Sequence, residues 1–584
     1  MISAIVLAPS FARAAPVTTL PEETVTGQSI KEDESLLSPG AVSVVRPQEM
    51  KGEHKNLPEL LKQVPGLHVI EARGRGAYTV ASVRGSTAAE VSVFVDGTLM
   101  NIGSEAAVDL STIPVENVER IEVYRGYVPA RFAGASMGGV INIITKKQTE
   151  AGGSVSAGVG SYGEWKTNLA YGTLLGRGKL FFGVNYERTT GDFEYLNDNG
   201  SPYTPGDDYK PKRQNNGYKN TDFLLKWNDD DWSLRAGWKR NDRYLPYHTG
   251  VREADLPDGP LGAHLDTDQT DLSASRRFKA GSLEWGIKTD YLHQNKKYHD
   301  PDDVIGGWGE QSNEYTTDRY GFALDGSWAA GKNNLVEFLG DYAKEKLKVG
   351  GDIVGTFGGL TDFSREAANI QLQDTINLDQ NGSLTLTPIV RWNMWAGDGK
   401  FSAGAALGKE LAYGWSVKIS AGTYNRAPNL YELYGDGAFV RPNQNLQWED
   451  GTQWDVGASW KGQIRNADVT AMLTYFGRHS NNLIEFVMVD PRYGKYFNIG
   501  KADINGIELE TSATWGKWDA RLSATWMDAI NKTDDYRSGE RLPNRPEWEG
   551  YLRINRRFLK DESLLQRLCK PPDRCKMRAH IWRF

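Results

Sequence analysis

The chain has 584 residues, of which 11% are aromatic, with 18 Trp, 26 Tyr and 63 Gly, a formal net charge of −7 and a mean hydropathy of −0.53. No apolar run reaches the ~18 residues that a membrane-spanning helix requires, so a helical membrane protein is excluded. The charge is spread along the chain without a long basic block, which argues against nucleic acid as a partner. What remains is a β protein rich in aromatic and polar residues, whether barrel, sandwich or propeller.

The first residues, MISAIVLAPSFARA, form a short apolar stretch ending in Ala12-Arg13-Ala14, the small-x-small form of an export cleavage site. Residues 1–14 are therefore expected to be a signal peptide, incomplete in that its basic beginning is missing. Residues 15–50 carry Pro, Thr and Glu with little periodicity and are expected to be a mobile leader, with one extended run at Glu23-Thr24-Val25-Thr26-Gly27. In residues 51–147 the pattern changes. Asn56 as a cap, Pro58 in the first turn and Leu60, Leu61 and Val64 on one face predict a helix of about two turns stopped by Pro65-Gly66. Short strands are expected at 79–84, 91–95 before the Asp96-Gly97 turn, 120–124 and 140–145. This reads as a compact α+β domain of about 100 residues.

From about Gly153 to Phe558 strict alternation takes over. Leu180, Phe182, Val184 and Tyr186 share one face against Gly183, Asn185 and Glu187. Ile507, Leu509, Thr511, Ala513 and Trp515 oppose Glu508, Glu510, Ser512 and Thr514, and Ala520, Leu522, Ala524 and Trp526 oppose Arg521, Ser523 and Thr525. Each run of roughly 9 to 11 residues suffices to cross a bilayer at a tilt. Short turns, at 228–231, 279–282, 329–334, 380–383 and 515–518, alternate with long polar segments near 189–217, 242–268, 298–312, 350–363 and 425–449. Tight turns on one rim and long loops on the other belong to an outer-membrane barrel, whereas a sandwich has no reason to sort its loops. The fold class is thus mainly β: a transmembrane antiparallel barrel of roughly 18 recognisable strands, preceded by an N-terminal α+β domain of the right size to fill its lumen as a plug.

No nucleophile, metal-ligand or phosphate-loop constellation stands out, so no catalytic residue, metal site or cofactor is expected and an enzyme is disfavoured. Arg73-Gly74-Arg75-Gly76 precedes a strand instead of opening a helix, which removes the phosphate-loop reading. His68, His248 and His479 are scattered. Asp, Asn and Gly between Asn197 and Asp208 suit ordinary loop turns better than calcium.

Five motifs in series carry a resemblance. Asn56-Leu57-Pro58-Glu59-Leu60-Leu61 with Val64-Pro65-Gly66, then Val83-Arg84-Gly85, Val95-Asp96-Gly97, Val118 to Gly126 and Gly138 to Thr145 resemble the plug motifs of TonB-dependent outer-membrane receptors in their usual order. In the barrel, Tyr424 to Leu433 and Arg441 to Leu446 resemble a strand-end and loop pair of that family; haem-transporting relatives carry a histidine between them, and none lies between Leu430 and Leu446 here. The resemblance implies a monomeric receptor in outer-membrane lipid of the bacterial cell that imports a ferric siderophore or similar metal chelate with energy from the periplasmic protein TonB. It assigns Glu23, Thr24, Val25, Thr26 and Gly27 to the TonB box, which pairs with TonB as an added strand. It implies a latch in which Arg84 and Arg125 of the plug reach barrel carboxylates, Asp455 and Glu508 being the candidates; Glu508 has inward parity, while the family more often shows Glu where Asp455 stands. Substrate is expected to meet outward plug loops at Arg73, Arg75 and Tyr78 and at Met100, Asn101 and Ile102, where guanidinium groups beside an aromatic ring suit an anionic, aromatic chelate.

The alternatives are a cobalamin or haem receptor, a passive porin or adhesin, and a non-transporting copy. The last arises from the C-terminal end. The family barrel has 22 strands ending on an aromatic-terminated strand, whereas alternation here stops after Phe558, and residues 559–584 hold Pro571-Pro572, crowded basic residues and both cysteines, Cys569 and Cys575. This segment is expected to be an aberrant tail, and the chain a receptor short of about four strands.

Overall fold

The computed structural model describes residues 39–556, apart from short internal stretches, and residues 580–581. The signal-like segment, the run Glu23 to Gly27, Arg73 and nearly all of the tail lie outside the described residues.

Two bodies are nested. The inner one is a five-stranded sheet in the order Ala41–Val45, Val118–Arg125, Gly139–Thr145, Val91–Val95, Thr98–Leu99. Gly139–Thr145 runs parallel to Val91–Val95, and the other neighbours are antiparallel. A separate hairpin pairs Leu67–Glu71 with Thr79–Val83. Because both faces of the sheet are covered, its strands read as continuous apolar runs: Ala41–Val45, Val91–Val95 and Gly139–Thr145 are buried at every residue. One face packs Leu57, Leu60, Leu61, Leu67, Val83, Ile121, Val123, Ile141 and Ile143; the other packs Val42, Val44, Phe94, Tyr124, Phe132 and Val140.

Two expectations are revised here. The leader does not run to residue 50, since Ala41–Val45 is already the edge strand of the plug sheet; five apolar or small residues without alternation show no strand period until they have a partner. The helix is also shorter, Leu57–Leu61, although its start is as expected. The Asn56 side chain accepts from the Glu59 N–H (2.9 Å) and the Glu59 carboxylate accepts from the Asn56 N–H (3.1 Å), a reciprocal cap.

Among the described residues the outer body is a closed barrel of twenty strands, two of which, Val440–Arg441 and His580–Ile581, are dipeptides; eighteen long strands remain. Long neighbours pair antiparallel in sequence order, while His580–Ile581 lies parallel to Trp548–Arg556 at the seam. Turns such as 176–177, 281–282, 465–466 and 516–517 line one rim. The long connections 190–217, 245–263, 301–310, 427–448 and 532–547 rise from the other, where 160–164, 396–397 and 491–492 are tight.

Alternation has the parity expected for lipid outside and plug inside. Ile507, Leu522, Phe322, Ile370 and Phe401 face outward and are exposed, while Glu508, Ser523 and Thr525 face inward and are buried. Aromatic pairs mark the interfacial level beside the tight turns: Trp515 stacks on Trp518 (6.1 Å, 10°), and Phe278 on Trp285 (4.3 Å, 19°). Pairing between long neighbours satisfies the backbone polar groups that lipid would leave unpaired, while at the seam only Arg553 and Ile554 of Trp548–Arg556 pair with His580–Ile581.

Candidate functional site

The plug packs most of its apolar side chains in its own cores, with barrel Leu292 joining one of them and Tyr127 and Ala130 meeting Ile389 and Ala406 on the wall, and elsewhere it meets the barrel with charge. Arg84 occupies the corner after Thr79–Val83 in a left-handed conformation (φ 49°) that aims it at the wall. Its Nε and Nη2 donate to the two oxygens of Glu508 (2.9 and 3.0 Å), and Nη1 donates to Asp455 Oδ2 (3.2 Å). The guanidinium also lies over the Phe476 ring, 4.6 Å from its centroid. Burial alone lowers the Arg84 pKa, but Glu508 and Asp455 outweigh it and hold the pKa above its ordinary value.

Arg125 is fully buried. It donates to the Pro65 carbonyl and, at 2.8 Å, to Ser43 Oγ, with Glu508 at 3.3 Å and Glu510 at 3.6 Å. The four residues of the expected latch are therefore brought together, and Glu510 and Ser43 join them: the Ser43 hydroxyl donates to Glu510 at 2.5 Å. Glu510 has the same inward parity as Glu508, a signal present in the sequence.

The fit explains two glycines. A Cβ on Gly66 (φ 71°) stands 1.9 Å from Glu508 Oε1, and one on Gly126 (φ 79°) stands 2.2 Å from Asp455 Oδ2 and 2.8 Å from Arg84 Nη1. Pro65-Gly66 and Arg125-Gly126 thus serve the approach of barrel carboxylates as much as the local turn.

A second seat went unread in the sequence. The Asp96-Gly97 turn joins Val91–Val95 to Thr98–Leu99, with both residues at positive φ. The Asp96 carboxylate accepts from the Thr145 N–H (3.0 Å) and hydroxyl (2.5 Å) and pairs with Lys226 (3.1 Å) and Arg235 (3.2 Å) on the wall. Burial pushes the Asp96 carboxyl up, but the charges of Lys226 and Arg235 with the Thr145 hydrogen bonds prevail and leave it at about 2. Inward parity of Lys226 and Arg235 was the available clue.

The outward candidates divide. Tyr78 donates to the Ala107 carbonyl (3.2 Å) and lines a cavity between the plug and the outer halves of strands Trp232–Tyr244, His264–Ala280 and Leu283–Asp300. Met100 reaches the same cavity. Burial, then Glu105 and Asp109, push the Tyr78 phenol well above its usual range, so it acts as a neutral hydrogen-bonding group. Arg75 lies against the rim, 3.2 Å from Glu164. Asn101 and Ile102 face inward instead of toward the outer cavity. The Asn101 amide is committed at both ends to backbone, accepting from Val93 N and donating to Val91 O (2.9 Å each), and Ile102 is buried in the plug core. Around the cavity Arg243 pairs with Asp109 (2.7 Å) and Lys296 with Glu105 (2.8 Å).

Ion pairs and hydrogen bonds on this scale leave a plug surface that water can solvate. A lipid-facing barrel, a separate domain filling its lumen and a largely polar contact between them define a plugged outer-membrane receptor.

The family comparisons agree. Residues 35–140 match the TonB-dependent Receptor Plug Domain, and residues 225–562 match the TonB dependent receptor-like beta-barrel. The chain belongs to the TonB-dependent receptors, the outer-membrane receptors and transporters of bacteria. It is similar to the vitamin B12 transporter BtuB of Vibrio cholerae serotype O1, at 25% identity over 547 residues, covering 90% of this chain and 80% of the relative. Its fold is similar to that of the siderophore receptor PirA from Acinetobacter baumannii (17% identity, TM-score 0.68, covering 89% of this chain and 84% of that one). It is also similar to that of the copper transporter OprC (17% identity, TM-score 0.69, covering 88% and 84%).

Proposed function

We propose that this receptor imports an anionic metal chelate, a ferric siderophore, with TonB engaging the segment Glu23 to Gly27. The outer cavity carries the reading. Its lining sets three cations, Lys239, Arg243 and Lys296, against two carboxylates, Glu105 and Asp109, with the neutral phenol of Tyr78 among them. That balance favours a solute with negative charge and hydrogen-bonding groups. The likeness in fold to a siderophore receptor is consistent with it.

A second reading, a corrinoid, is supported by the sequence likeness to a vitamin B12 transporter. Growth of a receptor-deleted strain carrying this gene, on single ferric siderophores or on cyanocobalamin under corrinoid demand, separates the two. Rescue by a ferric siderophore alone is expected; rescue by cyanocobalamin alone overturns the proposal. Val25→Pro removes a backbone donor from the pairing segment. It is expected to abolish that rescue while surface binding persists, and undiminished growth overturns the assignment of Glu23 to Gly27.

A further inference from the structure

Two cavities lie side by side along one wall of the plug, and they share Thr112 and Ile113 as lining. On the barrel side they are neighbours as well: Asn241 lines the outer one, Asn220 lines the other, and the Asn241 amide donates to Asn220. The second cavity is the deeper. Its wall residues on the strand ending at Asn228 stand six (Asp222) to ten (Tyr218) positions from that inner end, whereas those of the outer cavity range from seven (Lys239, from Trp232) to fifteen (Leu265, from Ala280). A third cavity, between Gly126 to Val128 and Ser402 on another wall, shares no lining residue with either.

Each cavity holds about 30 Å³, room for a water or two but not for a chelate. What separates them is therefore what must move. Leu110 and Val115 are buried in the plug core, so the stretch between them, Ser111 to Pro114, is anchored at both ends; it is half-buried along its length, with Ile113 resting against that core. Its hold on the wall is made by two barrel cations. Arg243 donates to Asp109 Oδ2 (2.7 Å), to Ser111 Oγ (2.8 Å) and to the Gly76 carbonyl (2.8 Å), and Lys239 donates to Thr112 Oγ1 (2.8 Å). The same Asp109, through Oδ1, accepts from the Ser111 hydroxyl (2.7 Å) and from Thr79 N (3.1 Å).

We propose that the solute passes the plug along this wall, between strands Trp165–Leu175 and Leu283–Asp300, and that Ser111 to Pro114 is a flap held shut by Arg243 and Lys239. The inference concerns the route and is independent of which chelate is carried. The lining sets amide, hydroxyl and charged groups among apolar ones, Met100, Val108, Ile113 and Leu265, so a solute exchanges part of its water for protein hydrogen bonds along the way.

The test reads accessibility of the deeper cavity. In a chain with Cys569→Ser and Cys575→Ser, Asn220→Cys is labelled on intact cells with a charged dye-maleimide of the bulk of a small chelate. Adding Lys239→Gln and Arg243→Gln is expected to raise the labelling rate about tenfold, since charge-assisted hydrogen bonds that hold the closed state are lost. Ser402→Cys, in the third cavity, is expected to keep its rate. Unchanged labelling at Asn220→Cys overturns the flap, and an equal rise at Ser402→Cys overturns it too, because the whole plug has then loosened. Should the double variant fail to reach the membrane, Pro114→Gly decides. It frees the flap without touching either cation, and it is expected to raise labelling at Asn220→Cys alone; no rise overturns the proposal.

Discussion

Among the charged contacts between plug and barrel, two seats of opposite polarity stand out. At one, plug arginines Arg84 and Arg125 enter barrel carboxylates Asp455, Glu508 and Glu510. At the other, a plug carboxylate, Asp96, enters barrel cations Lys226 and Arg235. The first group lies on strands Glu449–Ile464 and Tyr493–Trp515 and the second on Tyr218–Asn228 and Trp232–Tyr244, about half the circumference away in strand order. Glu90 of the plug meets Arg478 beside the first seat, so the sorting is by seat and not by whole wall. An antiparallel barrel presents much the same backbone at every rotation, and shape alone selects an orientation poorly. Rotating this plug by half a turn would set arginine on lysine and aspartate on glutamate, a like-charge contact at both seats.

The strongest way to break the asymmetry is at Glu508, which serves two buried guanidinium groups at once. Glu508→Gln is expected to destabilise the seated plug by about 3–5 kcal/mol, because it strands buried charge. Glu508→Lys should cost more. The readout is permeation of a neutral sugar into liposomes carrying the receptor, which rises when the plug loosens; a sealed Glu508→Lys barrel would show that the seat does not hold the plug. Gly126→Ala probes the same seat through sterics. A methyl group on a backbone with φ 79° and 2.2 Å from Asp455 Oδ2 must displace that carboxylate. A loss of about 2–3 kcal/mol is expected, with denaturant unfolding as the measurement, and Gly158→Ala, whose Cβ meets nothing within 4 Å, is the control.

Legibility in the sequence differed between the two bodies for physical reasons. The barrel announced itself by period two, since lipid on one side and plug on the other impose alternation on every strand, and the parity of Glu508 was readable without a partner in view. The plug lacks that period because its sheet is buried on both faces, so Ala41–Val45 carries no strand signal of its own, while caps and turns such as Asn56 and Asp96-Gly97 are plain in the sequence. The second seat was missed because a charge pair across nested bodies leaves no local spacing: Asp96 and Lys226 are 130 positions apart in the chain. The environment of Asn101 is hidden in the sequence for a related reason. A polar residue next to a turn looks solvent-directed until the backbone groups it serves, Val91 O and Val93 N, are seen beside it.

The second seat gives the smallest effect and the sharpest test of polarity, because pH separates it from the first. The Asp96 carboxyl falls from an ordinary 3.8 to about 2 in the folded protein. A depressed carboxylate contributes stability that is fully present above its unfolded value and is lost as pH falls through the folded value. The window is therefore from about pH 4 down to pH 2, and the contribution is roughly 2 kcal/mol. Other carboxylates titrate over the same range, so the informative quantity is the difference between the wild-type chain and Asp96→Asn. The variant is expected to be less stable at neutral pH, with Lys226 still donating to Thr145 and Arg235 still beside Asp271 to limit the loss. Its deficit should then shrink as pH falls toward 2, where the wild-type Asp96 is itself becoming neutral. A deficit constant across that window would mean that Asp96 acts through its turn geometry and not its charge, and the polarity of the second seat would have to be abandoned.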